Sequence, residues 1–178
     1  MVYCSAVNEE IKTRSANLGD AERIHALIRG LSDALVPRAM GNVVENIDRF
    51  LVAERDGEIM GYAYASAFKE RAAYAWAVET SIYIRTDAKH LGLGKLLYTA
   101  LEGALKLQNI TNVNACIAHP TVPDEYLTLN SEQFHEHLGY RVVGRFTGCA
   151  YKFGRWYDMV WMEKLIGEHT ADQQQPQF

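Results

Sequence analysis

Residues 74–118 read YAWAVETSIYIRTDAKHLGLGKLLYTALEGALKLQNITNVNACIA, and this stretch decides the fold. From Tyr74 to Ile84 the residues alternate, with Trp76, Val78, Thr80, Ile82 and Ile84 on one face and Ala75, Ala77, Glu79, Ser81 and Tyr83 on the other, which is the period of a strand. After a polar connection and the glycines Gly92 and Gly94, an apolar stripe of Leu96, Leu97, Ala100, Leu101, Ala104 and Leu105 faces away from Lys95, Thr99, Glu102 and Lys106, as in an amphipathic helix. Val113–Ala118 is strand-like again. A helix-length connection is what two parallel neighbours need, so residues 76–118 form a crossover unit.

Outward from this unit, Ile11–Ala16 predicts an opening strand, and Asp20 an N-cap for a helix carrying Ala21, Ile24, Leu27, Ile28 and Leu31. Pro37 and Gly41 interrupt the chain before a second short helix over 42–49. Phe50–Glu54 and Ile59–Phe68 form a hairpin about Asp56-Gly57. Leu127, Ser131, Phe134 and Leu138 step at helical intervals up to Gly139, and two closing strands, Arg141–Tyr151 and Trp156–Glu163, surround Gly154. The expected class is α/β (α+β): a mixed central sheet with about four flanking helices, in one domain over 1–178. Residues 10–166 make the ordered core, the first ten residues a loose leader, and 167–178 a polar tail expected to fray.

At 178 residues the chain has the size of one domain, and 48% apolar with 22% charged residues excludes a disordered or fibrous class. A net charge of -4 argues against a dedicated nucleic-acid binder, and no apolar run is long enough to span a membrane. The start, MVYCSAVNEE, lacks the features of a signal peptide, and three widely spaced cysteines, Cys4, Cys116 and Cys149, suit a reducing compartment, so a cytoplasmic protein is expected. Two histidines at i and i+2, His135 and His137, cannot share a metal on one helix face, and no metal is expected.

A glycine turn ahead of a helix offers backbone N–H groups to a phosphate or diphosphate. An ATP-type P-loop would require Gly at 89 and Ser or Thr at 96, where Lys89 and Leu96 stand. The dinucleotide fingerprint fails at Leu97. What fits is the acyl-CoA turn R/Q-x-x-G-x-G/A, read as Lys89-His90-Leu91-Gly92-Leu93-Gly94, with Lys89 in place of the usual Gln or Arg. Together with FKERAAYAWAVETSIYI, LGLGKLLYTAL, FHEHLGYRVVG and YKFGRWYDMVWM, the chain resembles the GNAT superfamily of acyltransferases over residues 68–162, in its phosphinothricin and methionine-sulfoximine acetyltransferase-like branch.

The resemblance implies a GNAT fold and acetyl-CoA as co-substrate. It implies Glu79 as general base and His135 as general acid. The cofactor would be held by the backbone of Ile82, Tyr83 and Ile84, by Lys89, His90, Leu91, Gly92, Leu93, Gly94 and Lys95, and by Asn130 and Ser131, near Thr128 where the branch commonly has Asn. Arg71 could clamp an anionic group of the acceptor, with Phe68 and Tyr74 lining its pocket. The implied reaction is direct transfer to the primary amine of a small amino-acid-like acceptor, and relatives commonly form homodimers. Rival readings are another amine acceptor (aminoglycoside, polyamine or protein N-terminus) and a non-catalytic acyl-CoA sensor.

Overall fold

The computed structural model describes residues 11–31 and 50–177; the leader, Cys4 and the short helix expected over 42–49 lie outside them. Among the described residues there are seven strands, β1 (Lys12–Ser15), β2 (Phe50–Arg55), β3 (Glu58–Ala67), β4 (Ala77–Ile84), β5 (Asn112–His119), β6 (Arg141–Lys152) and β7 (Arg155–Leu165). Three α-helices accompany them, α1 (Ala21–Leu31), α2 (Leu93–Leu107) and α3 (Asn130–His137). The strands form one mixed sheet in the order β1-β2-β3-β4-β5-β7-β6. Its parallel step is β4–β5, the pair joined by α2, as a helical crossover requires. No helix among the described residues is long and apolar enough to cross a membrane.

The chain divides into two compact units, one comprising Met1–Tyr64 and Ile82–Leu101, the other Ala65–Ser81 and Glu102–Phe178. In the first, β2 pairs antiparallel with β1 and with β3. Asp56 and Gly57 both have positive φ (53° and 76°), the I′ geometry whose twist matches the flanking strands. Ile24 and Leu27 of α1 pack with Phe50, Val52, Ile59 and Tyr62 in its core. Glycine at 61 is dictated by close approach, since a Cβ there would lie 2.6 Å from Ile84 Cδ1 and 2.8 Å from the Tyr83 carbonyl. The Arg85 N–H, just beyond, donates to the Met60 carbonyl (2.9 Å), so the end of β4 is fixed against β3.

The start of α1 differs from expectation. Asn17, not Asp20, is the cap: its side chain accepts from Gly19 N–H and opens a 3₁₀ turn, Leu18–Asp20, that runs into the helix. Asp20 completes the capping box by accepting from Asn17 N–H (3.0 Å). Its buried carboxylate also receives both Nη atoms of Arg14 (2.6 and 2.9 Å) and Arg23 Nη1 (3.0 Å), while Arg14 bonds Glu54 across the strands (2.6 Å). These donors explain why a carboxylate only 2% exposed stays ionised.

In the second unit, the β4–β5 ladder runs through Ala77↔Asn112, Val78↔Val113 and Glu79↔Asn114. β5 pairs antiparallel with β7, and β7 with β6 around a second I′ turn at Phe153 and Gly154 (φ 53° and 73°). β4 begins at Ala77 rather than Tyr74, because Ala72–Tyr74 coil into a 3₁₀ turn. α3 begins at Asn130 rather than Leu127, and ends as expected at Gly139 (φ 90°). Gly139 N–H bonds the Glu136 carbonyl and Tyr140 N–H that of His135, a Schellman closure. On α2 the buried stripe is Leu93, Leu97, Tyr98, Leu101 and Leu105; Leu96 and Ala104, expected on it, are exposed. Nor is the tail frayed, since it is hydrogen-bonded along its length.

The Asp20 carboxyl is held down to about 2 by Arg14, against the opposing effect of burial and with help from Asn17 N–H. A carboxyl depressed on folding contributes stability above its ordinary value of 3.8, and that contribution disappears as pH falls through about 2. Chemical denaturation from pH 5 to pH 2 should therefore show a falling unfolding free energy whose slope is reduced in Asp20→Asn. Arg14→Ala should cost about 2 kcal/mol at neutral pH, as expected for a buried carboxylate deprived of its main partner.

Candidate active site

The glycine turn is built by backbone conformation. Thr86–Ala88 make a 3₁₀ turn, Lys89 is extended, and His90 and Gly92 both take positive φ (66° and 77°). The Gly92 carbonyl then accepts the Leu96 N–H (3.1 Å), so α2 is under way by Leu93 and the amides of Leu93, Gly94 and Lys95 belong to its first turn, where no intrahelical acceptor precedes them. Buried Ala88 and Leu93 anchor the two ends, whereas Lys89, His90, Leu91, Gly92 and Lys95 are exposed. Such a turn carries partial positive charge and two exposed lysines, Lys89 and Lys95, a donor set that fits a diphosphate. In the same unit Ile82, Tyr83 and Ile84 are half-buried, and the Tyr83 ring stacks on Tyr62 (5.1 Å).

In the other unit, pairing between β4 and β5 ends at Glu79 and Asn114. Neighbours in a parallel ladder share a face, so Glu79 and Ala77 lie on the side of Asn112 and Asn114. That side holds a cavity of about 480 Å³ to which Ala77, Asn112 and Asn114 contribute the floor. Phe68, Tyr74, Trp76 and Trp161 supply its aromatic walls, and Lys69 and Glu163 its charges. Phe68 meets Trp161 edge-on at 5.5 Å and Tyr74 at 6.4 Å.

Two of the three expected acceptor residues, Phe68 and Tyr74, thus line the cavity. Arg71 does not: it is exposed and precedes the 3₁₀ turn as its N-cap. Lys69 takes that place, its Nζ lying 5.0 Å from the centroid of the Phe68 ring. No sequence signal separates the two, because residues 68–71 bend between β3 and the 3₁₀ turn and only the fold chooses between them.

Glu79 is half-buried, and desolvation pushes its carboxyl above the ordinary 4.5 while Lys69 pulls it partly back. Cys116 shares this environment, and burial, then Glu79 and Cys149, push its thiol up to about 11. A thiol so raised is a poor nucleophile at neutral pH.

His135 has a different setting. Val78 and Thr80 form the buried, opposite face of β4. Thr80 Oγ1 donates to the Asn114 carbonyl (3.1 Å) and lies 3.3 Å from Tyr140 Oη, and the Tyr140 ring meets His135 edge-on at 5.2 Å. His135 is 3% exposed, and its Nδ1–H donates to the Ser131 carbonyl (2.7 Å). Burial lowers its pKa from 6.5 against the opposing effect of the Ser131 hydrogen bond, and the net shift favours the neutral ring at pH 7. Asn130 and Ser131 are exposed in the first turn of α3, where the Asn130 N–H reaches Thr128 Oγ1 (3.4 Å). An unforeseen pair, His119 Nδ1 with Glu132 Oε2 at 2.5 Å, ties the end of β5 to α3.

Residues 5–161 match the acetyltransferase (GNAT) domain, and the chain belongs to that family. It is 33% identical over 159 residues to the phosphinothricin N-acetyltransferase of Streptomyces viridochromogenes, covering 88% of this chain and 76% of the relative. With the L-methionine sulfoximine/L-methionine sulfone acetyltransferase of Salmonella typhimurium it shares 30% identity over 122 residues, 68% of this chain and 67% of the other. Among solved structures, the phosphinothricin acetyltransferase of Sinorhizobium meliloti in complex with AcCoA superposes with a TM-score of 0.75 at 28% identity, covering 94% of this chain and 93% of that one. The mixed sheet with its parallel crossover is therefore a GNAT fold, and the protein is an acetyltransferase.

Because Lys69 is what opposes the upward shift, removing its charge should raise Glu79 further. Carboxyl titration followed by ¹³C NMR should place Glu79 above 4.5 in the unaltered protein and higher still in Lys69→Met. No upward movement in the variant would show that Lys69 does not act on this carboxyl.

Proposed function

We propose that this chain is an acetyl-CoA-dependent N-acetyltransferase for the primary amine of a small amino-acid-like acceptor of the phosphinothricin, methionine sulfone or methionine sulfoximine type. It acts as one domain over 1–178. The observation that carries the reading is the half-buried Glu79 on the same sheet face as an aromatic cavity bearing Lys69. Aromatic walls take an acceptor's carbon chain, and Lys69 takes its anionic group. Relatives named phosphinothricin N-acetyltransferase and L-methionine sulfoximine/L-methionine sulfone acetyltransferase support that acceptor class.

Bound acetyl-CoA supplies an activated thioester. The amides at Leu93–Lys95, with Lys89 and Lys95, bind its diphosphate; His90, Leu91 and Gly92 shape that turn. Ile82, Tyr83 and Ile84 follow Glu79 by three to five residues in the sequence and offer amides to the pantetheine arm and thioester carbonyl. Asn130 and Ser131 contribute at the start of α3. Glu79, its proton affinity raised toward the working pH, takes the proton from the acceptor ammonium, directly or through water, and frees the amine to attack the thioester carbonyl. The C–N bond forms as the C–S bond breaks, the nitrogen sheds its extra proton to water, and CoA leaves as the thiolate, which takes a proton from water. His135 is assigned to positioning rather than to acid catalysis: a neutral ring whose Nδ1 proton is committed to Ser131 has to gain a second proton before it can protonate a thiolate.

We further propose a cytoplasmic homodimer with neither nucleic acid nor membrane as partner. β6 is an edge strand of twelve residues, and exposed Val142, Phe146 and Tyr151, with Trp156 beside them at 66% exposure, suit a second copy of the chain. Light scattering should give twice 20.1 kDa for the native chain, and a smaller mass for Trp156→Asp.

The deciding assay is thiol release from acetyl-CoA across amino acids, methionine sulfone, phosphinothricin, polyamines and aminoglycosides. Amino-acid-like acceptors should release thiol fastest. Glu79→Gln should lower kcat about 10²–10⁴-fold while acetyl-CoA binding persists. Turnover only with polycations would overturn the acceptor class.

A further inference from the structure

Beyond β7 the chain does not leave the second unit but is pinned along its edge. Ile166 N–H and Gly167 N–H both donate to the Thr111 carbonyl (2.8 and 3.3 Å). Gly167 fits there because even a methyl group would come within 3.1 Å of Thr111 Cγ2. Farther on, Trp76 Nε1–H donates to the Gln174 carbonyl (2.7 Å), Asn109 Nδ2 to that of Gln175 (2.9 Å), and Gln177 N–H to the Gln108 carbonyl (3.0 Å). Between these anchors the Thr170 N–H closes on Gln173 Oε1 (3.1 Å), and His169, itself exposed, is among the residues that line the cavity.

Two consequences follow from that path. The segment contributes His169 to a wall that pairs the aromatic Phe68, Tyr74, Trp76 and Trp161 with polar residues, and it fixes the indole of Trp76 through a main-chain carbonyl. The segment also lies beyond residues 5–161, the stretch that matches the family domain, so the cavity is completed by residues outside the shared framework.

We propose that residues 166–177 are a specificity element of the acceptor site, in which His169 donates a hydrogen bond to an oxygen of the acceptor's side-chain sulfone or phosphinate group and the segment holds Trp76 in place. This rests on the acetyltransferase reading above. The chemistry is of one kind: the cavity's aromatic walls accept any carbon chain of suitable length, whereas the imidazole rewards an oxygen-bearing group over its unoxidised analogue.

The test compares methionine sulfone with methionine as acceptors for the unaltered chain of residues 1–178, His169→Ala and His169→Gln. In the unaltered chain kcat/KM should favour the sulfone. His169→Ala should reduce that preference about fivefold, the value of one neutral hydrogen bond, and do so through the acceptor KM while the KM for acetyl-CoA stays within about twofold. His169→Gln, which keeps an N–H donor, should recover part of the loss. As a second readout, Trp76→Phe should speed hydrogen exchange of the 166–177 amides about tenfold, because it removes one anchor and keeps the ring. Turnover with an unaltered sulfone-to-methionine ratio in His169→Ala overturns this inference alone. No turnover by the unaltered chain with any amine overturns the acetyltransferase reading and this inference with it.

Discussion

The register of β4 is the constraint on which the site depends. Among the described residues, three pairs, from Ala77↔Asn112 to Glu79↔Asn114, define its parallel ladder with β5, and they leave Val78 and Thr80 on the buried side. A slip of one residue would exchange the faces, bury the Glu79 carboxylate among apolar side chains and expose Val78. The apolar and hydroxyl partners of the buried face, with Thr80 held to the Asn114 carbonyl and set beside Tyr140 Oη, make that exchange costly.

Alternation along the same strand separates two kinds of environment. On one face Glu79 is partly desolvated, close enough to Lys69 to feel its charge, and next to a cavity with aromatic walls. On the other, His135 is enclosed, hydrogen-bonded to its own helix and neutral. The first suits a group that must exchange protons with a ligand, the second a group that holds a helix in place. The Schellman closure at Gly139 carries the chain from His135 to Tyr140 and sets the edge-on contact of the two rings.

In the first unit the corresponding constraint is backbone proximity. Gly61 admits the end of β4 where any side chain would collide with Ile84 and the Tyr83 carbonyl, and this fixes the amides at 82–84. The glycine turn adds two residues with positive φ, His90 and Gly92, one of which no glycine pattern announces. Buried Ala88 and Leu93 then hold the turn from both sides, leaving its backbone accessible.

Periodicity and turn chemistry made much of this legible in the linear chain: the alternation around Glu79, the Asp56-Gly57 and Gly154 turns, the helix closed by Gly139 and the crossover all follow from local preferences. Local rules erred where a longer-range partner prevailed. Asp20 was claimed by Arg14 and left the cap to Asn17, residues 72–74 coiled ahead of β4, and a polar tail acquired backbone partners at Gln108, Asn109 and Thr111. The sequence by itself determined which elements form and which residue types could do acyl-transfer chemistry, because both are written in spacing and side-chain identity. Only the tertiary structure decided that Lys69 rather than Arg71 lines the cavity, that His135 is sealed and neutral, and that His169 joins the wall, since burial and proximity arise from segments far apart in the chain.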